Sequence, residues 1–326
     1  MKKLNKRILI SISLVIGIIL FVSVFIRNLE VFDLLKRISY FYLIFYVLFS
    51  FSIILVHVLR WKVIAYSHDI KISYWRLLLY KISGYSISYL TPSAHLGGEA
   101  VRGWLVKSKK VKFPLALSSV IIDKYIEITT YFIIGTIGVL ILLLNMTITE
   151  NAFIIISLAL ILSALSLYLF YTRIAQGKPV ISLLLKSIKS KKLKKFKSNI
   201  KHTEKLMSKF FANKTKSLMI AFSMSFTSNF LMFLEYFFLL KAFGITATFS
   251  QIFMIVAVIA ITYILPVPAA LGLLETGQFG LFAFMALNPL IGLGLSLIVR
   301  LRDCILSAFG LGYLVKRCFK FLGGLE

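Results

Sequence analysis

Thr91-Pro92-Ser93-Ala94-His95-Leu96-Gly97-Gly98-Glu99-Ala100-Val101-Arg102-Gly103-Trp104 lies amid apolar sequence, yet it holds a proline, three glycines, a histidine, a glutamate and an arginine. A membrane-spanning helix disfavours those residues. Pro92 removes a backbone donor, and Gly97-Gly98 loosens the helix. Irregular backbone survives at membrane depth only where protein buries it or where it lines a wet cavity. The stretch reads as the polar turn of a broken helix at a substrate site, with Thr91, Pro92, Gly97 and Gly98 at its tip. A short loop between two ordinary spans is the competing reading.

The flanks set its direction. A short apolar run, residues 77–90, precedes it, and Ala100 to Val106 leads into Lys107, Lys109, Lys110 and Lys112. Upstream, Arg60-Trp61-Lys62 ends another apolar run. Basic and aromatic borders mark the cytoplasmic interface. Both flanks are then cytoplasmic, and residues 77–106 form a re-entrant hairpin with its tip near the midplane. A full span in each direction is the alternative, although neither limb is long.

Composition agrees. The chain has 326 residues, 59% hydrophobic and only 15% charged. Several apolar runs reach the roughly 20 residues that a bilayer span needs. The expected class is an all-α polytopic membrane protein. The net charge of +26 would suggest nucleic acid in a soluble protein. Here the basic residues cluster in loops, which fits the positive-inside rule and anionic lipid instead. Residues 173–216 carry fourteen Lys or Arg against one acid, Glu204. Leu193, Phe196 and Ile200, then Met207, Phe210 and Phe211, recur there at helical spacing. They predict a basic amphipathic helix on anionic inner-leaflet headgroups.

In chain order, about six full spans are expected, near residues 8–26, 41–59, 115–144, 152–171, 218–240 and 289–314. Lys2, Lys3, Lys6 and Arg7 precede the first run with no small-residue cleavage site, so an uncleaved first span is expected. Residues 29–40 read as an interfacial helix. The chain reads as one membrane domain: a first half, 1–172, with hairpin 77–106; a basic cytoplasmic loop, 173–216; and a second half, 217–326, with hairpin 251–287. Both termini are expected in the cytoplasm, in the plasma membrane. Span three carries Asp123, Lys124 and Glu127. At 1.5 Å rise per residue, Glu127 lies roughly 18 Å beyond Leu115, close to the bilayer centre. Asp123 and Glu127 are four apart and share a helix face. Ionisable groups at that depth are read as functional by default. A structural pair, such as Asp123 against a lysine or arginine of a neighbouring helix, is the competing reading.

A second break stands at Pro266-Val267-Pro268, followed by Gly272 and Glu275. Pro92 precedes Glu99 by seven residues, and Pro268 precedes Glu275 by seven. Each pair lies between short apolar runs, one hairpin entering from the cytoplasm and the other from outside. Paired interrupted segments of this kind point to a transporter site between inverted repeats.

These residues also resemble a known family. Thr91-Pro-Ser-x-x-Gly-Gly-Glu-x-Val-Arg102 is similar to the first signature of the flippase-like family typified by the membrane region of lysylphosphatidylglycerol synthases. Leu265-Pro-x-Pro-x-x-Leu-Gly-x-x-Glu275 is similar to its second. Arg60-Trp61, Asp123-Lys124 and Arg300-Leu301 fit as well. Ala269-Ala270 replaces a pair that is usually glycine, and Val299 stands where a tyrosine commonly precedes the arginine. The resemblance implies movement of lipids or lipid-linked headgroups between leaflets. The transferase domain that follows this region in the synthases is not expected here.

On this reading Arg102 and Arg300 are the phosphate partners, since guanidinium is a rigid two-pronged donor that stays charged. Glu99, Glu275, Asp123 and Glu127 offset those charges in the empty state or hold a cationic headgroup. Half-helix N-termini after Gly98 and Gly272 add donors for an anion. The bland alternative is that the charges neutralise each other to hold the bundle together. No catalytic residue, metal site or cofactor is expected. His57, His68, His95 and His202 have no ligand spacing, Cys304 and Cys318 suggest no disulfide, and Gly97-Gly98 lacks the Lys-Ser/Thr ending of a nucleotide loop. Three other classes stay open: an integral membrane lipid transferase, a small-solute transporter, and a membrane partner for another enzyme. The expected partners are membrane lipids, with a second copy of the chain or a partner enzyme also open, and no nucleic acid.

Overall fold

Runs of Leu, Ile, Phe and Val with few breakers leave the backbone one low-energy choice in a bilayer: to satisfy its own hydrogen bonds as helix. The computed structural model describes residues 30–91, 97–145, 150–178, 194–265 and 267–322. Among them every regular element is helical: α1 Val31–Lys36, α2 Tyr40–Ser67, α3 Tyr74–Leu90, α4 Gly98–Val106, α5 Phe113–Asn145, α6 Glu150–Ala175, α7 Lys194–Asn213, α8 Thr215–Ala242, α9 Phe249–Ile264, α10 Leu273–Phe284 and α11 Pro289–Leu322. The first expected span, residues 8–26, lies outside the described residues. α2, α8 and residues Ser157–Ile174 of α6 are long and apolar enough to cross a membrane. α6 exposes Ile154, Ile155, Leu158, Ile161, Leu162 and Leu165, a face suited to lipid and not to water. The protein is an all-α polytopic membrane protein. α2 continues to Ser67, so Arg60-Trp61-Lys62 is not the helix border that the sequence suggests.

Both sequence-predicted helix breaks are present. At the first, α3 stops at Leu90, and the Thr91 hydroxyl donates to the Ile87 carbonyl at 2.6 Å. α4 begins at Gly98, whose N–H donates to Ser88 Oγ at 2.8 Å. A Cβ on Gly98 would run into the Gly84 carbonyl, so the two limbs meet only because residue 98 has no side chain. Pro92 lies outside the described residues, as does Pro266. At the second break, α9 opens with a capping box between Thr248 and Gln251. It gives way to a single 3-10 turn, Pro268–Ala270, before α10. Ala269, Ala270 and Gly272 have φ of 53°, 48° and 75°, all left-handed. At about 1.5 Å per residue, α4 is about 14 Å long and α10 about 18 Å, each too short for a hydrocarbon core of about 30 Å.

The chain forms two compact units. One comprises Met1–Ile53, Leu78–Val101 and Phe230–Glu326. Its core is Tyr46, Tyr236, Leu239, Leu240, Ile255, Leu274, Phe282, Leu295 and Val299. Within it α10 packs on α9 and α11, and α1 packs on α11. Ser83 Oγ of α3 donates to the Gly310 carbonyl of α11 at 3.2 Å. The other unit comprises Ile54–Leu77 and Arg102–Asn229. There α7 packs on α5 and α6, burying Met207 and Phe210 against Ile122, Ile126, Phe170 and Ile174. The apolar face of α7 meets protein, and Lys201, His202, Lys205 and Lys209 are left outward. Helical spacing reveals an apolar face but not what covers it.

Candidate substrate site

In the first unit both breaks converge on Arg300 of α11. A broken helix leaves carbonyls that no helical N–H reaches. Arg300 takes two of them: Nη1 donates to the Ala269 carbonyl at 2.9 Å and Nη2 to the Ala270 carbonyl at 3.4 Å. Nε and Nη2 both reach Glu275 Oε1 at 2.6 Å. Nη1 also donates to the hydroxyl of Tyr89, on the last turn of α3, at 3.3 Å. Tyr89 and Tyr263 rings meet edge-on, 6.5 Å apart. One guanidinium thus ties the first hairpin to the tip of the second. Glu275 sits in the first turn of α10, where the helix dipole favours a carboxylate. Its Oε2 is buried without a hydrogen-bond partner, as is Oε1 of Gln278 one turn on. Gln278 uses its amide nitrogen on the Ile255 carbonyl, at 3.2 Å. Glu99 also keeps one buried carboxylate oxygen without a partner.

The same unit holds a second charged cluster beside it on α11. Arg302 Nη1 meets Glu235 Oε1 at 2.5 Å, and Nε meets Asp303 Oδ1 at 2.9 Å. Ser50 donates to Glu235, and Tyr263 donates to Asp303 Oδ2. The sequence places Glu235, Arg302 and Asp303 in apolar runs; their convergence comes from packing.

In the second unit the acids of α5 meet two arginines. Arg60 is fully buried, with Nε on Asp123 Oδ1 at 2.7 Å, Nη2 on Glu127 Oε2 at 2.6 Å and Nη1 on Ser225 Oγ at 2.6 Å. Arg102, from the middle of α4, places Nη2 on Asp123 Oδ2 at 2.7 Å, and its guanidinium stacks over Trp61 at 4.0 Å from the ring centroid. Lys124 reaches Glu127 Oε1 at 2.7 Å. Three cations therefore face two carboxylates, leaving one positive charge in excess among these groups. The Arg102 Nε is buried without a partner.

The structure brings Arg102, Asp123 and Glu127 together, and separately Arg300 with Glu275. Glu99, Thr91, Gly97 and Gly98 belong to the first hairpin, and Pro268 and Gly272 to the second tip. Sequence reasoning missed Arg60 and Tyr89 as site residues. Arg60 stands beside Trp61 and Lys62 and so reads as an interface border, yet its helix continues for seven more residues. Tyr89 carries no sequence signal. Among the described residues no group of three or more His, Cys, Asp or Glu could hold a metal ion.

No curated protein and no solved structure matches this chain. A family model does, described as the lysylphosphatidylglycerol synthase TM region, over residues 8–310. That covers nearly all of the sequence and both broken helices. The chain belongs to the lysylphosphatidylglycerol synthase TM region family.

Proposed function

We propose that this protein moves a lipid headgroup between bilayer leaflets, the cargo being a phospholipid, an aminoacyl-phospholipid or a lipid-linked sugar. The observation that carries the reading is Arg300, held between the ends of two interrupted helices by carbonyls, a tyrosine and one carboxylate. A headgroup needs a polar path while its chains stay in hydrocarbon, and interrupted helices in corresponding positions supply one. Arg300 and Arg102 are the phosphate partners. Glu275 and Asp123 hold their charges until a headgroup arrives, and Glu99 and Glu127 receive a cationic one. Both hairpins are re-entrant in this reading. The protein lies in the plasma membrane with both termini cytoplasmic, and the lysine face of α7 meets anionic headgroups. A second copy or a partner enzyme remains compatible.

The test is leaflet exchange in liposomes holding the purified protein, with phosphatidylglycerol, lysyl-phosphatidylglycerol and a polyprenyl-phosphate sugar compared. One class should exchange, and Arg300→Lys and Arg102→Lys should each slow it by about tenfold or more, because lysine cannot give two parallel donors. If folded protein exchanges none of the three, the reading fails.

A further inference from the structure

The Glu235–Arg302–Asp303 cluster is not used by the headgroup path. It is unusual in its charge. Glu235 is 2% exposed and Asp303 is fully buried, yet the two carboxylates share a single guanidinium. Among the described residues, the other polar side chains that meet these groups are neutral. α2 supplies Ser50 and Tyr46, α3 supplies Tyr85, α8 supplies Tyr236 and α9 supplies Tyr263. The nearest other cation on α11, Arg300, is committed to Glu275. With both acids ionised, the cluster would carry an uncompensated negative charge in a low-dielectric interior, which folded proteins avoid.

We infer that Glu235 and Asp303 hold one proton between them, and that its gradient drives the lipid movement proposed above. The microscopic assignment follows from the donors. Asp303 is met on both oxygens, by Arg302 and by Tyr263. The donors to Glu235, Ser50 and Arg302, both fall on Oε1, so Glu235 carries the proton. Loading forms one O–H bond on a carboxylate and nothing else. A metal cation is the poorer occupant, because only two carboxylates converge.

The proton site stands on charge balance alone; the coupling rests on the transport reading. Infrared spectra of the full chain in liposomes at neutral pH test the first. Wild type should show the C=O stretch of a protonated carboxyl group that disappears in both Glu235→Gln and Asp303→Asn. The double loss is specific: neutralising either acid leaves one carboxylate for Arg302 and removes the need for a proton. Absence of that band, or its persistence in both variants, overturns the site. Normal helicity and a single detergent-solubilised species in either variant are sufficient to read it, so one misfolded variant does not end the test. For coupling, a gradient of one pH unit should shift the leaflet ratio of the exchanged lipid by about tenfold in wild type, one proton moving per lipid, and by nothing in Glu235→Gln. Exchange that ignores the pH gradient, or follows sodium instead, overturns the coupling. If no lipid exchanges at all, the transport reading and the coupling fall together, and the infrared band still decides the proton site.

Discussion

Arg60 has every guanidinium nitrogen engaged, on Asp123, Glu127 and Ser225, and it is fully buried. Removing one partner of a buried ion pair leaves an uncompensated charge, which costs about 3–5 kcal/mol. Arg60→Gln should therefore lower thermal stability in detergent by that amount. Adding Glu127→Gln should recover part of it, because the two changes remove partners of one network. A wild-type melting curve for Arg60→Gln would refute this role. Asp123 was legible as a buried acid because a charge within an apolar run stands out. Arg60 was not, because Trp61 and Lys62 beside it mimic an interface border. The partner that buries Arg60 lies 63 residues away on α5, and residue-by-residue reading cannot see that contact.

Helix ends and breaks were legible where local chemistry decides them. Proline and paired glycine act on their own backbone, so the breaks after Leu90 and Ile264 could be read directly. The left-handed pair Ala269-Ala270 could not, since alanine gives no such signal. The helical period of α7 was legible too, but its occupant was not. α7 also brings Phe210 against His68, in the turn after α2, with rings 5.4 Å apart. Burial pushes the His68 imidazole down from the usual 6.5 to about 4; Lys214 pushes the same way and Asp69 opposes. The unfolded chain takes a proton near 6.5, while the folded chain resists until about 4. The contribution is complete above pH 6.5, is lost as pH falls through the window from 6.5 to 4, and is level below it. The loss amounts to at most about 3 kcal/mol. Melting temperature against pH should fall less steeply across that window in His68→Phe than in wild type. Parallel slopes would show that α7 is held independently of His68.

At the scale of the whole molecule, the charge pattern makes a topological statement. In the proposed arrangement residues 107–112 and the lysine face of α7 lie on one side of the membrane, and the loop after Ala242 on the other. α8 is long enough for that separation: its 28 residues extend about 42 Å, beyond the thickness of the hydrocarbon core. Cys304 and Cys318 are free and exposed, so both are first replaced by serine. A membrane-impermeant maleimide added to intact cells should then label Thr246→Cys and spare Lys110→Cys and Lys205→Cys until the membrane is opened. Labelling of all three in sealed cells would invert or abolish the proposed arrangement. The polytopic helical class was legible from composition. The compact units were not, because they are assembled from segments such as Leu78–Val101 and Phe230–Glu326 that lie far apart in the chain.

The engagement of Arg300 by Glu275 has a kinetic consequence. Any phosphate that reaches this guanidinium competes with a carboxylate tethered beside it, at an effective concentration no free anion attains. Occupancy is therefore brief, and the internal anion returns as soon as the visitor leaves. Such a site is poor at storage and good at turnover: it would saturate late and release without waiting for a rival ligand.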